Sequence, residues 1–169
     1  MDFDSIDSMV DAYVERGATG LTILGMMGEA GKLSAEESIA VVERVVARAS
    51  VPVVVGVSAP GFAAMAALTK AAMDTGAAGV MVAPPSSLRS DAQILGYYHS
   101  AAEALGDVPF VLQDFPLATG VQMSTDVILK IVADCPSCVM LKHEDWPGLE
   151  KISALRAASD HGARRISLL

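Results

Sequence analysis

The chain has 169 residues, 52% of them apolar, 19% charged and 5% aromatic, with 12 basic against 20 acidic side chains. That length fits one domain with room for a sizeable core, and the apolar fraction excludes a disordered chain. A net charge of −8 argues against a nucleic-acid backbone or an anionic membrane surface as partner.

In chain order, the predicted elements alternate helix and strand. Phe3, Ile6, Val10, Tyr13 and Val14 recur at helical spacing before the first strand. Apolar, β-branched runs then begin at residues 20, 51, 78, 108, 138 and 164, spaced by 31, 27, 30, 30 and 26 residues, the length of one βα unit. They do not alternate in polarity, which is the mark of strands covered on both faces. Between them, Ser34-Ala35-Glu36-Glu37 reads as a capping box opening a helix that carries Ile39, Val42 and Val46. The stripes Ile94, Tyr98, Ala101 and Leu105, then Ile128, Ile131 and Val132, then Leu149, Ile152 and Leu155 give three more helices. Gly17, Gly76, Gly106 and Gly162 follow their helices as stops.

No linker or low-complexity tract interrupts residues 1–169, so a single domain is expected. Residues 51–69 lack charge over 19 positions, yet Pro52, Gly56, Pro60 and Gly61 break the run, so it reads as strand, turn and helix start and not as a membrane span. Two cysteines make no disulfide framework, and Met1-Asp2-Phe3-Asp4 opens no signal peptide. A soluble, cytoplasmic protein without a membrane or nucleic-acid partner is the expectation.

Six βα units fit either an open doubly wound sheet or most of a (β/α)₈ barrel, and both bind ligands beyond the carboxyl ends of their strands. The polar side chains expected there are Glu29, then Gln113 and Asp114, then Lys142 with His143, Glu144 and Asp145 behind it. Lys142 closes an apolar strand. Desolvation there would favour the neutral amine that attacks a carbonyl to form a Schiff base. A strand-end lysine paired with Glu144 or Asp145 fits the same position, and position alone leaves both readings open. His143, next on the strand, points to the other face, where packing is the simpler use. The loop Gly25-Met26-Met27-Gly28 offers backbone N–H groups to a carboxylate, although Met26 and Met27 read equally well as core residues. Cys135-Pro136-Ser137-Cys138 has redox spacing but precedes a strand, so a redox role is not expected. Three histidines without ligand spacing indicate no metal site, and no cofactor is implied.

The ordered landmarks resemble the dihydrodipicolinate synthase/N-acetylneuraminate lyase superfamily of class I pyruvate-type aldolases. They are Gly20 to Glu29 with Leu33-Ser34-x-Glu36-Glu37, Val51 to Val57, Gly76 to Pro85, Val108 to Gly120, and Val139-Met140-Leu141-Lys142-His143-Glu144. The resemblance implies a (β/α)₈ barrel, of which this chain would cover about helix 1 to strand 7. It implies a lyase, an aldolase or a dehydratase, acting on a small 2-keto acid such as pyruvate. Lys142 would be the Schiff-base nucleophile. Gly25, Met26, Met27, Gly28 and Glu29 would hold the carboxylate, with Gln113 and Asp114 lining the site. It further implies a homo-oligomer, as in the family's tetramers.

The departures carry weight. The family's Gly-Thr-Thr-Gly-Glu loop has Met26 and Met27 here, so its hydroxyls are gone. Gln113 replaces the tyrosine that relays protons, and an amide is no acid or base near pH 7. Ala118 stands for an arginine, and Ser86 and Ser87 for tyrosines. These changes count against dihydrodipicolinate synthase itself. They also leave a second reading open, a non-catalytic relative that binds a keto acid or a partner. Strand edges at 20–24 and 164–169 would further favour self-association of the chain.

Overall fold

Every strand in this protein is short and apolar, and parallel neighbours of this kind can be joined only by long crossovers, which helices supply. The computed structural model describes residues 1–169. It places β1 (Leu21–Ile23), β2 (Val53–Gly56), β3 (Gly79–Val82), β4 (Phe110–Asp114), β5 (Cys138–His143) and β6 (Ser167–Leu168) in one sheet, ordered as in the sequence. Helices α1 (Phe3–Glu15), α2 (Ala35–Arg48), α3 (Phe62–Thr75), α4 (Asp91–Leu105), α6 (Thr125–Asp134) and α7 (Leu149–Asp160) lie between the strands or before the first, and the short α5 (Pro116–Thr119) follows β4. The residues group into two compact units: Met1–Val57 with Ala66–Val80, and Ser58–Met65 with Met81–Leu169.

In the first unit, β1 pairs in parallel with β2, Leu21 opposite Val53 and Ile23 opposite Val55. The expected capping box opens α2: Ser34 Oγ accepts from the Glu37 N–H at 3.2 Å, and the Glu37 carboxylate accepts from the Ser34 N–H at 2.9 Å. Val42 and Val45 of α2 and Val10 of α1 are buried. Two arginine forks tie α2 to α1, Arg44 on Asp7 and Arg48 on Asp11. Tyr13, in the expected apolar stripe of α1, is exposed. Gly56 closes β2 where the chain passes Leu24. A Cβ there would stand 2.2 Å from the Leu24 carbonyl oxygen, so only glycine fits.

The second unit holds the larger core: Tyr98, Phe110, Leu112, Ile128, Ile131 and Leu141 are all fully buried. Tyr98 Oη donates to the Val82 carbonyl at 3.3 Å, which lets a phenol sit in that core, and burial raises its pKa well above the ordinary value. All five residues of β4 are buried. Its pairing with β5 begins with Phe110 opposite Cys138, then slips so that Val111 faces Met140. Val139 is the extra residue of this bulge, and it is exposed. Beyond it Gln113 faces Lys142 and Asp114 faces His143.

All six expected strands form, but the run at 164–169 contributes only Ser167–Leu168 to the sheet. Arg164 instead reaches back to α6, donating to the Val132 carbonyl at 3.0 Å and the Cys135 carbonyl at 2.9 Å. The Val132 carbonyl is one of the acceptors that a helix C-terminus leaves without an intrahelical partner. The four glycine stops expected after helices, at residues 17, 76, 106 and 162, all have positive φ. Helix α5 was not expected, although its signals were in the sequence. Pro116 occupies its first turn and Gly120, at φ +70°, ends it.

Candidate active site

Side chains two apart on a strand share a face, so the end of β5 sends Lys142 and Glu144 to one side and His143 to the other. The bulge at Val139 decides which residues of β4 they meet. On the first face, Lys142 Nζ lies 2.5 Å from Glu144 Oε1, and Gln113 Nε2 donates to Glu144 Oε2 at 2.7 Å. The Glu144 N–H donates to the Asp114 carbonyl at 2.8 Å, which continues the ladder past the strand and fixes the carboxylate in place. Gln113 is buried, whereas the side chains of Lys142 and Glu144 remain 25% and 29% exposed. The pair is thus only partly covered. The alternative left open by position, a pairing of Lys142 with Glu144 or Asp145, resolves to Glu144. Asp145 turns to Lys151.

Asp114 was expected beside Gln113, but strand alternation sends it to the opposite face. Its carboxylate is fully buried and takes hydrogen bonds on Oδ2 from His143 Nδ1 and Lys151 Nζ, both at 2.9 Å. Lys151 also donates to Asp145 Oδ2 at 2.8 Å. Burial pulls the Lys151 pKa down, yet hydrogen bonds to Asp145 and Asp114 outweigh it and the net value lies above the ordinary one. The hydrogen bond from Lys151 outweighs burial to hold Asp145 below the usual carboxylate range. The His143 ring is 2% exposed, with Nε2 against Gly148, where a Cβ would come within 2.7 Å. Asp114 Oδ1 and His143 Nε2 are buried without a hydrogen-bond partner. Sequence reading missed Lys151, which lies 37 residues from Asp114 on another element and carries no local signal.

The loop after β1 belongs to the first unit. Leu24 and Glu29 bracket it, both at φ +53°, a conformation costly for residues with a Cβ. The Glu29 N–H donates to the Met26 carbonyl at 3.1 Å, and Glu29 pairs with Lys32. The reading of Met26 and Met27 as core residues is corrected here: Met27 is 97% exposed and Met26 38%. Met27 thus projects almost wholly into solvent, while Met26 is partly covered.

Of the remaining candidates, Cys135 and Cys138 are free and buried. Burial pushes the Cys138 thiol up to about 12 and raises that of Cys135, so neither supplies a thiolate near neutral pH. His99 bridges to Asp134, which also holds Lys130, a tie between α4 and α6. Ser86, Ser87 and Ala118 are exposed. No helix is long and apolar enough to cross a membrane.

Residues 1–157 match the model of the dihydrodipicolinate synthetase family. Among curated proteins, the 4-hydroxy-tetrahydrodipicolinate synthase of Sorangium cellulosum is 34% identical over 84% of this chain and 48% of its own length. The one from Neisseria meningitidis serogroup B is 32% identical over 83% of this chain and 48% of its own length. This chain thus spans about half the length of the curated relatives it matches. Among solved structures, the dihydrodipicolinate synthase of Rhodopseudomonas palustris is 57% identical, with a TM-score of 0.96 over 99% of this chain and 57% of that one. The fold is that of the (β/α)₈-barrel family, of which this chain forms an incomplete part.

Proposed function

This chain belongs to the dihydrodipicolinate synthetase family, and from that premise we propose that it acts through a Schiff base between Lys142 and a 2-keto acid, as a carbon–carbon or carbon–oxygen lyase. One observation carries the reading: at the carboxyl end of β5 the amine of a partly exposed lysine, opposite Gln113 in the register, touches a carboxylate. Class I chemistry needs an amine that can lose its proton and then meet a carbonyl carbon, and no metal or cofactor takes part.

Incubation with pyruvate and borohydride should add one reduced pyruvyl group, located by mass spectrometry at Lys142. Lys142→Ala should abolish it. Labelling at Lys32, Lys70, Lys130 or Lys151 instead would overturn the assignment. The second reading, a relative that binds a keto acid without turning it over, draws support from the amide at Gln113, since an amide relays no proton. An imine adduct with no turnover of any 2-keto acid in a panel would mark that case.

A further inference from the structure

An amine held in an ion pair is not a nucleophile until something takes its proton. The group in contact with Lys142 Nζ is Glu144, at 2.5 Å. We propose that Glu144 is the general acid–base catalyst of imine formation, a role that rests on the Schiff-base reading of Lys142 and deepens it. Its two oxygens are divided: Oε1 faces the reacting amine, while Oε2 is held at 2.7 Å by Gln113. Gln113 is itself buried and fixed opposite Lys142 by the strand register, which makes it a positioning residue for the carboxylate. The side chain Gln113 cannot relay a proton, but it aims one that can. The charged groups nearby on the chain, Asp114, His143, Lys151 and Asp145, are paired among themselves.

The proton path balances. Glu144 removes a proton from the Lys142 ammonium, and the freed lone pair forms the C–N bond to the carbonyl carbon. The carbonyl π pair moves onto oxygen, which takes the proton from Glu144. The nitrogen, now positively charged, returns one of its two protons to the carboxylate. Glu144 then protonates the hydroxyl, which leaves as water while the nitrogen lone pair forms the C=N bond. One water is released, the iminium keeps the positive charge, the carboxylate is restored, and nothing is oxidised or reduced.

The test is the rate of borohydride-trapped pyruvyl adduct against pH in the 169-residue chain, its Glu144→Gln and Glu144→Ala variants, and Lys142→Ala. Glu144→Gln should still be labelled at Lys142 but about 10²–10⁴-fold more slowly near neutral pH. Its rate should climb with pH where the parent's levels off. Added formate should restore part of the rate to Glu144→Ala, a rescue that a purely structural ion pair does not show. An unchanged melting temperature in Glu144→Gln separates lost chemistry from lost folding. If either variant traps pyruvate at the parent's rate and pH profile, or formate has no effect, Glu144 is not the catalyst while the Lys142 reading stands. If the parent forms no adduct at all, both fall.

Discussion

Asp114 is a carboxylate with no access to water, met on one oxygen by an imidazole and an ammonium. Removing one partner of a buried pair leaves the other charge uncompensated, which typically costs about 3–5 kcal/mol. Lys151→Met should therefore lower the free energy of unfolding by that much, read as a lower urea midpoint at an unchanged denaturant slope, whereas Lys70→Met, on the exposed surface of α3, should barely move it. A midpoint unmoved by Lys151→Met would show that Asp114 reaches water after all. One residue away, Gln113 turns to the other face and serves Lys142 and Glu144. Two adjacent residues of one strand thus belong to different tasks, one to holding the fold and one to the candidate chemistry.

At the scale of elements, β2 and the chain leaving β1 approach closely. A Cβ on Gly56 would meet both the carbonyl oxygen and, at 2.8 Å, the carbonyl carbon of Leu24, backbone atoms that cannot swing aside. Gly56→Ala must therefore push β1 from β2 or bend the turn at Leu24, and overpacking of this kind costs about 1–3 kcal/mol or more. The expected outcome is a lower melting temperature with faster hydrogen exchange at the Leu21 N–H, which is bonded to the Pro52 carbonyl at 2.9 Å. Wild-type protection at that amide would contradict the close approach. In the second unit the bulge at Val139 has the larger consequence. Without it, the register set by Phe110 and Cys138 would bring Leu141 opposite Gln113, and Lys142 would face Asp114. The extra residue re-aims the end of β5, a recurrent use of bulges beside functional groups.

For the whole molecule, the pH dependence of stability has a definite sign. Asp2, Asp11, Glu36, Asp134 and Asp145 all sit below their ordinary pKa values. The causes are, in turn, the Ser5 hydroxyl, the Arg48 guanidinium, a hydrogen bond from the backbone N–H of Glu36 itself, the Lys130 ammonium and the Lys151 ammonium. A depressed carboxylate favours the folded state above its unfolded value, about 3.9 for Asp and 4.3 for Glu. That contribution is lost as pH falls through the folded values below them. Lys151, whose value is raised, contributes below about 10.4 and loses its share as pH climbs through its higher folded value. The melting temperature should be level from about pH 5 to 8, fall below about pH 4 by a margin that solvent screening of these surface groups keeps modest, and fall again in strong alkali. A profile level down to pH 2 would mean that these carboxylates lack their partners.

Much of this protein was legible in one dimension, because local rules act over a few residues. The capping box at Ser34 and Glu37, the glycine stops and the 26–31-residue rhythm of apolar runs each depend on neighbours in sequence. Together they determined a parallel βα architecture and placed Lys142 at a strand end. The ordered motifs determined the family resemblance that the family match bears out. What only the tertiary structure decided follows from contacts between distant segments. The slip at Val139 is invisible in an apolar run, since Cys-Val-Met-Leu reads the same with or without it, yet it sets Lys142 against Gln113 and His143 against Asp114. The exposure of Met26 and Met27 goes with a loop that opens on a left-handed Leu24, in a sequence position that favours no such turn. The division of acids, Glu144 to the amine and Asp145 to Lys151, turned on where α7 begins relative to β5, and no spacing along the chain encodes that distance.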